Sequence, residues 1–282
     1  MGPARAFLRF ICFSHTIFAF PFALSAMLTA AHGIPSRRIF LLIIAAMVFA
    51  RTAAMTFNRV TDWELDKRNP RTAYRHLLVS QPVAIAACTI SSLSFIATAW
   101  LINRLCLMLS PVALGIVFFY SLTKRFTHAS QFFLGLALSV APVGAWSAVT
   151  GELAPPSLIL ALSVFLWVAG FDMIYAIQDV EVDQRDGLGS MVVLLGVSKS
   201  LRLAKWLHIG MLLSLAFFGW AERFGFPYAI ALGLISWMLM YWHLMVGRSI
   251  EAANWALSNA VVGLLLTAGI FADLYWKSNS HS

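Results

Sequence analysis

Apolar residues fall in runs of about twenty along this chain, separated by short polar stretches, and the pattern recurs from end to end. Twenty helical residues rise about 30 Å, the thickness of a bilayer's hydrocarbon core. The pattern predicts nine membrane helices, at 12–31, 39–57, 83–102, 105–121, 130–149, 157–178, 206–221, 226–246 and 255–276. Connections such as HGIPSRR, TGELAPP and ERFGFP are short and carry Gly or Pro. The two longest, 58–82 and 179–205, each open on an acidic cluster.

Composition sharpens this picture. With 60% hydrophobic and 11% charged residues and a mean hydropathy of +0.81, the 282 residues lie outside the soluble globular range. The expectation is an all-α, polytopic membrane protein, a helix bundle forming one transmembrane domain over 1–282. Arg5 and Arg9 precede the first apolar run as in a signal peptide, but further spans follow without a clear stop. That run is therefore read as a retained first helix. Cys12, Cys88 and Cys106 are odd in number and lack metal-ligand spacing, so neither a disulfide framework nor a zinc site is expected.

The net charge of +8 sits in short loops rather than on a soluble groove, so nucleic acid is not implied. The partners expected are the lipid bilayer and small substrates, with no obligate protein partner. Fourteen Lys and Arg lie at the N-terminus or in the loops after the second, fourth, sixth and eighth helices, against five on the other side. The positive-inside rule then puts the N-terminus and both acidic clusters in the cytoplasm, as in a bacterial inner membrane.

Those clusters match each other. NRVTDWELDKR at 58–68 aligns with YAIQDVEVDQR at 175–185, pairing Asp62 with Asp179, Glu64 with Glu181, Asp66 with Asp183 and Arg68 with Arg185. Such a repeat suggests a duplicated bundle of two related four-helix halves with facing sites. Carboxylates four residues apart share a helix face, whereas Glu64 and Glu181 point elsewhere. Asn58 extends the first row, and Asp172 extends the second into an apolar stretch, where an ionisable group is functional by default.

One charge near the bilayer centre costs about 2.5 to 3.5 kcal/mol on insertion scales, so stacked carboxylates need a cation. Hard oxygen ligands without Cys or His favour Mg²⁺, which takes one or two carboxylates and completes its shell with water and phosphate oxygens. Nearby Arg68, Arg71, Arg75, Lys124, Arg125 and Arg185 suit a diphosphate. Helix caps, surface salt bridges and topology are the alternative uses of these charges. Metal and basic groups together would stabilise a diphosphate leaving group as an allylic diphosphate ionises.

These residues resemble a known family. NRVTDWELDKRNPRTAYRHL is similar to the N-x-x-x-D-x-x-x-D motif of the UbiA superfamily of intramembrane prenyltransferases. FDMIYAIQDVEVDQRDGLGSM resembles its second motif, which opens on a Tyr, here Tyr175, and has the preceding Asp at Asp172. YSLTKRFTHASQFFLG resembles the stretch after its fourth helix. The resemblance implies that Asn58, Asp62, Asp66, Asp179 and Asp183 bind a polyprenyl diphosphate through Mg²⁺, with Arg71, Lys124 and Arg125 contacting diphosphate. It further implies alkylation of an aromatic acid ortho to a hydroxyl, of the 4-hydroxybenzoate type, in ubiquinone or menaquinone biosynthesis.

Arg59 departs from the N-D start common in 4-hydroxybenzoate members. Together with N-P-R-T after the motif and SHTIFAFPFAL in the first helix, it looks more like the branch that prenylates 1,4-dihydroxy-6-naphthoate. His15 is a candidate contact of the aromatic substrate, with a structural histidine as the other reading. The non-enzymatic alternative is a divalent-cation transporter. Phosphatidyltransferases acting on CDP-alcohols are set aside because their D-G-x-x-A-R signature is absent.

Overall fold

A computed structural model describes residues 2–11, 19–68, 72–246 and 256–280. Its elements, in chain order, are α1 (Pro3–Phe10), α2 (Phe20–Ala30), α3 (Arg37–Thr61), α4 (Trp63–Arg68), α5 (Gln81–Ile102), α6 (Arg104–Thr123) and α7 (Ser130–Thr150). They continue as α8 (Pro155–Tyr175), α9 (Val180–Arg185), α10 (Met191–Leu195), α11 (Val197–Ala221), α12 (Phe226–Val246) and α13 (Ala256–Ser280). Eight of these, among the described residues, are long and apolar enough to cross a membrane. The expected first span appears as the shorter α2, because 12–18 lie outside the described residues.

Two boundaries differ from the hydropathy pattern. α11 begins nine residues before 206 because VSKSLRLAKW is helical but amphipathic, and a search for apolar residues passes over such a turn. The sixth span does not run unbroken through its acidic motif. After Tyr175 the chain tightens into a 3₁₀ turn at Ala176–Asp179 before α9 resumes.

Tertiary contacts divide the chain into two compact units, Met1–Ile17 with Arg37–Leu122, and Phe18–Ser36 with Thr123–Ser282. Among the described residues these hold three and five of the long helices. The short α2 joins the second unit, where it packs on α7 and α13.

In the first unit α3 packs along α5. Arg38 Nη2 donates to the Leu101 carbonyl at 2.9 Å, satisfying the end of α5. Phe57 of α3 stacks on Phe118 of α6 with centroids 4.3 Å apart. Phe10 and Ile11, at the end of α1, are buried with Ala84 against Met55, Val60 and Trp63. The N-terminal helix is thereby seated on the segment that carries the first acidic motif.

In the second unit α8 is the central helix, packed on both α7 and α11. Its apolar window is 61% buried, more than that of any other long helix. Lipid gives helices no hydrophobic reason to associate, so close approach through small residues has to supply the contact. Ser163 of α8 donates to Ser214 Oγ of α11 at 2.9 Å, and both are buried. At Gly170 the helices approach until only a hydrogen fits. A Cβ there would lie 2.6 Å from His208 Nε2 and 3.1 Å from the Ala204 carbonyl.

The His208 ring has no room to retreat. Its Nε2–H donates to the Trp167 carbonyl at 3.3 Å, and its Nδ1 pairs with His243 Nε2 at 2.8 Å. Trp167 and Trp242 enclose it, with ring centroids 4.9 and 5.8 Å away. Gly to Ala inside a helix ordinarily gains up to about 1 kcal/mol. At Gly170 the clash reverses that sign, and Gly170→Ala is expected to cost about 1 to 3 kcal/mol. Thermal unfolding of the purified variant in detergent checks this, and an unchanged or raised Tm would contradict the packing described.

Candidate functional site

In the first unit the acidic motif sits where α3 gives way to α4. The break at Asp62 barely interrupts the helical ladder. The Asp62 N–H donates to the Asn58 carbonyl at 3.0 Å and the Asp66 N–H to the Asp62 carbonyl at 2.7 Å. Asn58, Asp62 and Asp66 therefore follow one another on one side of the segment, as their spacing predicts. Asn58 Nδ2 donates to Asp62 Oδ2 at 3.1 Å, which orders the first two.

Asp66 is held by basic side chains. Arg75 Nη1 donates to Asp66 Oδ1 at 2.9 Å, and Arg59 Nη1 lies 3.7 Å from Oδ2. The buried Thr72 hydroxyl donates to the Asp66 carbonyl at 3.0 Å, drawing the 3₁₀ turn at Arg75–Leu77 against α4. Glu64 instead faces outward and pairs with Lys67 at 2.8 Å. That hydrogen bond holds its carboxyl below the usual carboxylate value. Arg68 is exposed at the end of α4, while Arg71 and His15 lie outside the described residues.

In the second unit the matching motif gathers around a lysine. Lys124 Nζ donates to Asp183 at 3.4 Å (Oδ1) and 3.2 Å (Oδ2), and Asp183 is buried. Burial pulls the Lys124 ammonium down, but the charges of Asp183, then Asp172 and Asp179, outweigh it and hold its pKa above the usual value. So three carboxylates from α8, the 3₁₀ turn and α9 bear on one ammonium. Asp172, Tyr175 and Asp179 are half-buried. Arg125 is exposed, and Arg185 is exposed and turned to Asp186, with Nε 3.0 Å from Oδ1.

The loop DGLGSM fixes this arrangement. The Gly189 N–H donates to the Lys124 carbonyl at 2.6 Å, and Leu188 N–H to the Asp183 carbonyl at 2.8 Å. A side chain at Gly189 would collide with the Thr127 carbonyl, so only glycine lets the two segments meet. Ser130 Oγ donates to the Gly189 carbonyl at 3.3 Å, and the fully buried Gln131 accepts from Met191 N–H at 3.1 Å. Ser190 caps α10 by accepting from Val193 N–H at 3.2 Å. Sequence reasoning assigned no role to Thr72, Ser130, Gln131 or Gly189. The available signal was polar side chains at the mouth of an apolar helix and glycines after an acidic motif.

Chemically, each unit offers hard carboxylate oxygens beside basic nitrogens. Among the described residues no three Asp, Glu, His or Cys side chains converge as a ready metal cage. Pairs of carboxylates fit Mg²⁺, which draws its remaining oxygens from water and from a phosphate-bearing substrate. Asn58 Oδ1 accepts from Arg59 Nη1 at 3.2 Å, and an amide oxygen has a second lone pair left for a metal.

Comparison with known proteins bears on this geometry. The profile of the UbiA prenyltransferase family matches residues 19–271. A protein of Vibrio atlanticus (strain LGP32) named 4-hydroxybenzoate octaprenyltransferase is 32% identical over 258 residues, covering 89% of each chain. Its namesake in Tolumonas auensis is 31% identical over 250 residues, covering 87% of each. Among solved structures, the apo form of a UbiA homologue from Aeropyrum pernix K1 aligns with a TM-score of 0.83 at 32% identity. It covers 93% of this chain and 98% of that one. A homologue from Archaeoglobus fulgidus bound to GPP and Mg²⁺ shares the fold, with a TM-score of 0.70 at 19% identity, covering 96% and 99%.

The Lys124–Asp183 contact predicts a pH signature. A base whose native pKa lies above its unfolded value, about 10.4 for lysine, stabilises the fold fully below that value. The contribution is lost as pH rises through the native pKa. The Tm difference between wild type and Lys124→Gln should hold from pH 8 to about 10 and close only above it. A difference already closing between pH 8 and 9 would contradict the pairing.

Proposed function

The chain belongs to the UbiA prenyltransferase family, and from that premise we propose that it transfers a polyprenyl group from a polyprenyl diphosphate to 4-hydroxybenzoate, with Mg²⁺, in respiratory quinone biosynthesis. The observation that carries this reading is that both D-x-x-x-D motifs fold into carboxylate sets held by basic side chains, Asp66 by Arg75 and Asp183 by Lys124. That composition suits a metal-bound diphosphate. Family membership sets the cation transporter aside. The names of the Vibrio and Tolumonas relatives support the aromatic acid as acceptor, and the ligands of the Archaeoglobus homologue support the diphosphate and Mg²⁺.

In this reading Asp62, Asp66 and the amide oxygen of Asn58 hold metal at the first motif, and Asp179 and Asp183 hold it at the second. Bound Mg²⁺ neutralises charge that builds on the departing diphosphate. Arg71, Lys124 and Arg125 are assigned to diphosphate oxygens, with Arg68, Arg75 and Arg185 as further basic groups beside their own motifs, and Asp172 steadies the Lys124 ammonium. Tyr175 and His15 are assigned to substrate contacts. The allylic carbon–oxygen bond breaks with its electron pair leaving on diphosphate. The ring carbon ortho to the hydroxyl then attacks, and the proton it carried is lost to restore aromaticity. The distribution of Lys and Arg supports placing both motifs and the N-terminus on the cytoplasmic side of a bacterial inner membrane.

A second acceptor, 1,4-dihydroxy-6-naphthoate, is favoured by one observation, the Asn58–Arg59 start of the first motif with Arg59 buried. Membranes containing the protein, given labelled polyprenyl diphosphate with each acceptor in turn, separate the two. Product is expected with 4-hydroxybenzoate, only when Mg²⁺ is present. Asp62→Ala and Asp179→Ala should each lower turnover on the order of 10²-fold or more, the scale for removing one transition-state contact. Full turnover by either variant would sink this mechanism.

A further inference from the structure

Arg59 is the only buried residue between Asn58 and Arg68. A guanidinium is costly to bury and stays charged, so its donors must be spent on specific acceptors. Here the guanidinium reaches three groups, two of them in the acidic motif and one at the end of α1. Nε donates to the Phe10 carbonyl at 3.4 Å, Nη1 donates to Asn58 Oδ1 at 3.2 Å, and the same Nη1 lies 3.7 Å from Asp66 Oδ2.

Each contact has a consequence for the acidic motif. Arginine has no acceptor, so the Asn58 amide must turn its oxygen to Arg59 and its NH₂ to Asp62 Oδ2. Asp66, approached by Arg75 on Oδ1 and Arg59 on Oδ2, is fixed from both sides. Phe10 ends α1, which Arg9 anchors a second time by lying 4.9 Å over the Tyr74 ring. The Arg59 side chain is 8% exposed.

We propose that Arg59 is a positioning residue for the metal-diphosphate site: it holds Asn58 and Asp66 in register for the metal and couples that register to the N-terminal helix. The inference rests on the function proposed above. Hydrogen-bond partners of metal ligands set metal affinity by about 10 to 100-fold, and the guanidinium engages Phe10 through Nε while Nη1 donates to Asn58 and faces Asp66. A lysine supplies one point charge on a flexible stem.

The test uses Mn²⁺ as a spectroscopic stand-in for Mg²⁺. Paramagnetic resonance reads its binding to the purified full-length protein with inorganic pyrophosphate present. Arg59→Gln should weaken Mn²⁺ binding by about 10 to 100-fold, with Arg59→Lys falling between it and wild type. The Mg²⁺ concentration for half-maximal turnover should rise in step while turnover at saturating Mg²⁺ is retained. Asp66→Asn, a change at the ligand itself, should remove the Mn²⁺ bound at the first motif. If Asp66→Asn binds Mn²⁺ as wild type does, the metal-site reading fails. If it loses binding while both Arg59 variants keep wild-type affinity, the Arg59 inference alone is overturned. A lower Tm with unchanged Mn²⁺ affinity likewise overturns it, since a merely structural arginine would behave so. Should Arg59→Gln fail to fold, Arg59→Lys decides alone: weakened binding supports the inference, and wild-type affinity overturns it.

Discussion

A carboxylate at the edge of hydrocarbon has to be paired, and this requirement organises the functional parts of the chain. Isolated, such a charge costs several kcal/mol and would instead be neutralised. Here the carboxylates are paired with basic side chains brought from elsewhere in the sequence, Arg75 from nine residues away and Lys124 from 59. The second pairing survives in spite of burial, which pulls the lysine the other way, because three carboxylates act on it together. A site built so is poised for a cation that competes for the same oxygens, and for an anion that suits the same nitrogens.

The scaffold serves this requirement through backbone more than through side chains. In the first unit, a helix that yields at Asp62 keeps its i to i−4 hydrogen bonds and so keeps the Asn58–Asp62–Asp66 row intact. In the second, the 3₁₀ turn at Ala176–Asp179 and the glycine contact at Gly189 set where Lys124 meets Asp183. Behind that motif, α8 is gripped by α11 through Ser163–Ser214 and the close approach at Gly170. Rigid packing there is what a helix carrying Asp172 needs, since lipid on its own does not hold helices together.

Much of the fold was legible because the bilayer leaves few options. Spans must be helical, and length and hydropathy locate them, so seven of the eight long helices fall within a few residues of the expected ranges, and α11 differs only in its start. The four-residue spacing also placed Glu64 away from the Asn58–Asp62–Asp66 row, where it meets Lys67. The polar start of α11 and the tightened turn before Asp179 were not legible. Hydropathy is blind to amphipathic turns, and a 3₁₀ turn differs from an α turn by one hydrogen-bond register.

The sequence by itself determined the chemistry on offer: paired carboxylates at helical spacing, repeated once, with arginines and lysines close behind. Local geometry suffices for that, because residues four apart on a helix are neighbours whatever surrounds them. Only the tertiary structure decided which base meets which acid. Arg59 reaches back 49 residues to Phe10, and Lys124 reaches forward 59 to Asp183. Such partners are chosen by how helices pack and turns tighten, through contacts at serines and glycines whose roles spacing alone does not reveal. Arg59 shows the difference most clearly: in the sequence it is a departure from a motif, and in the fold it meets Asn58 and Asp66 of that motif and the Phe10 carbonyl.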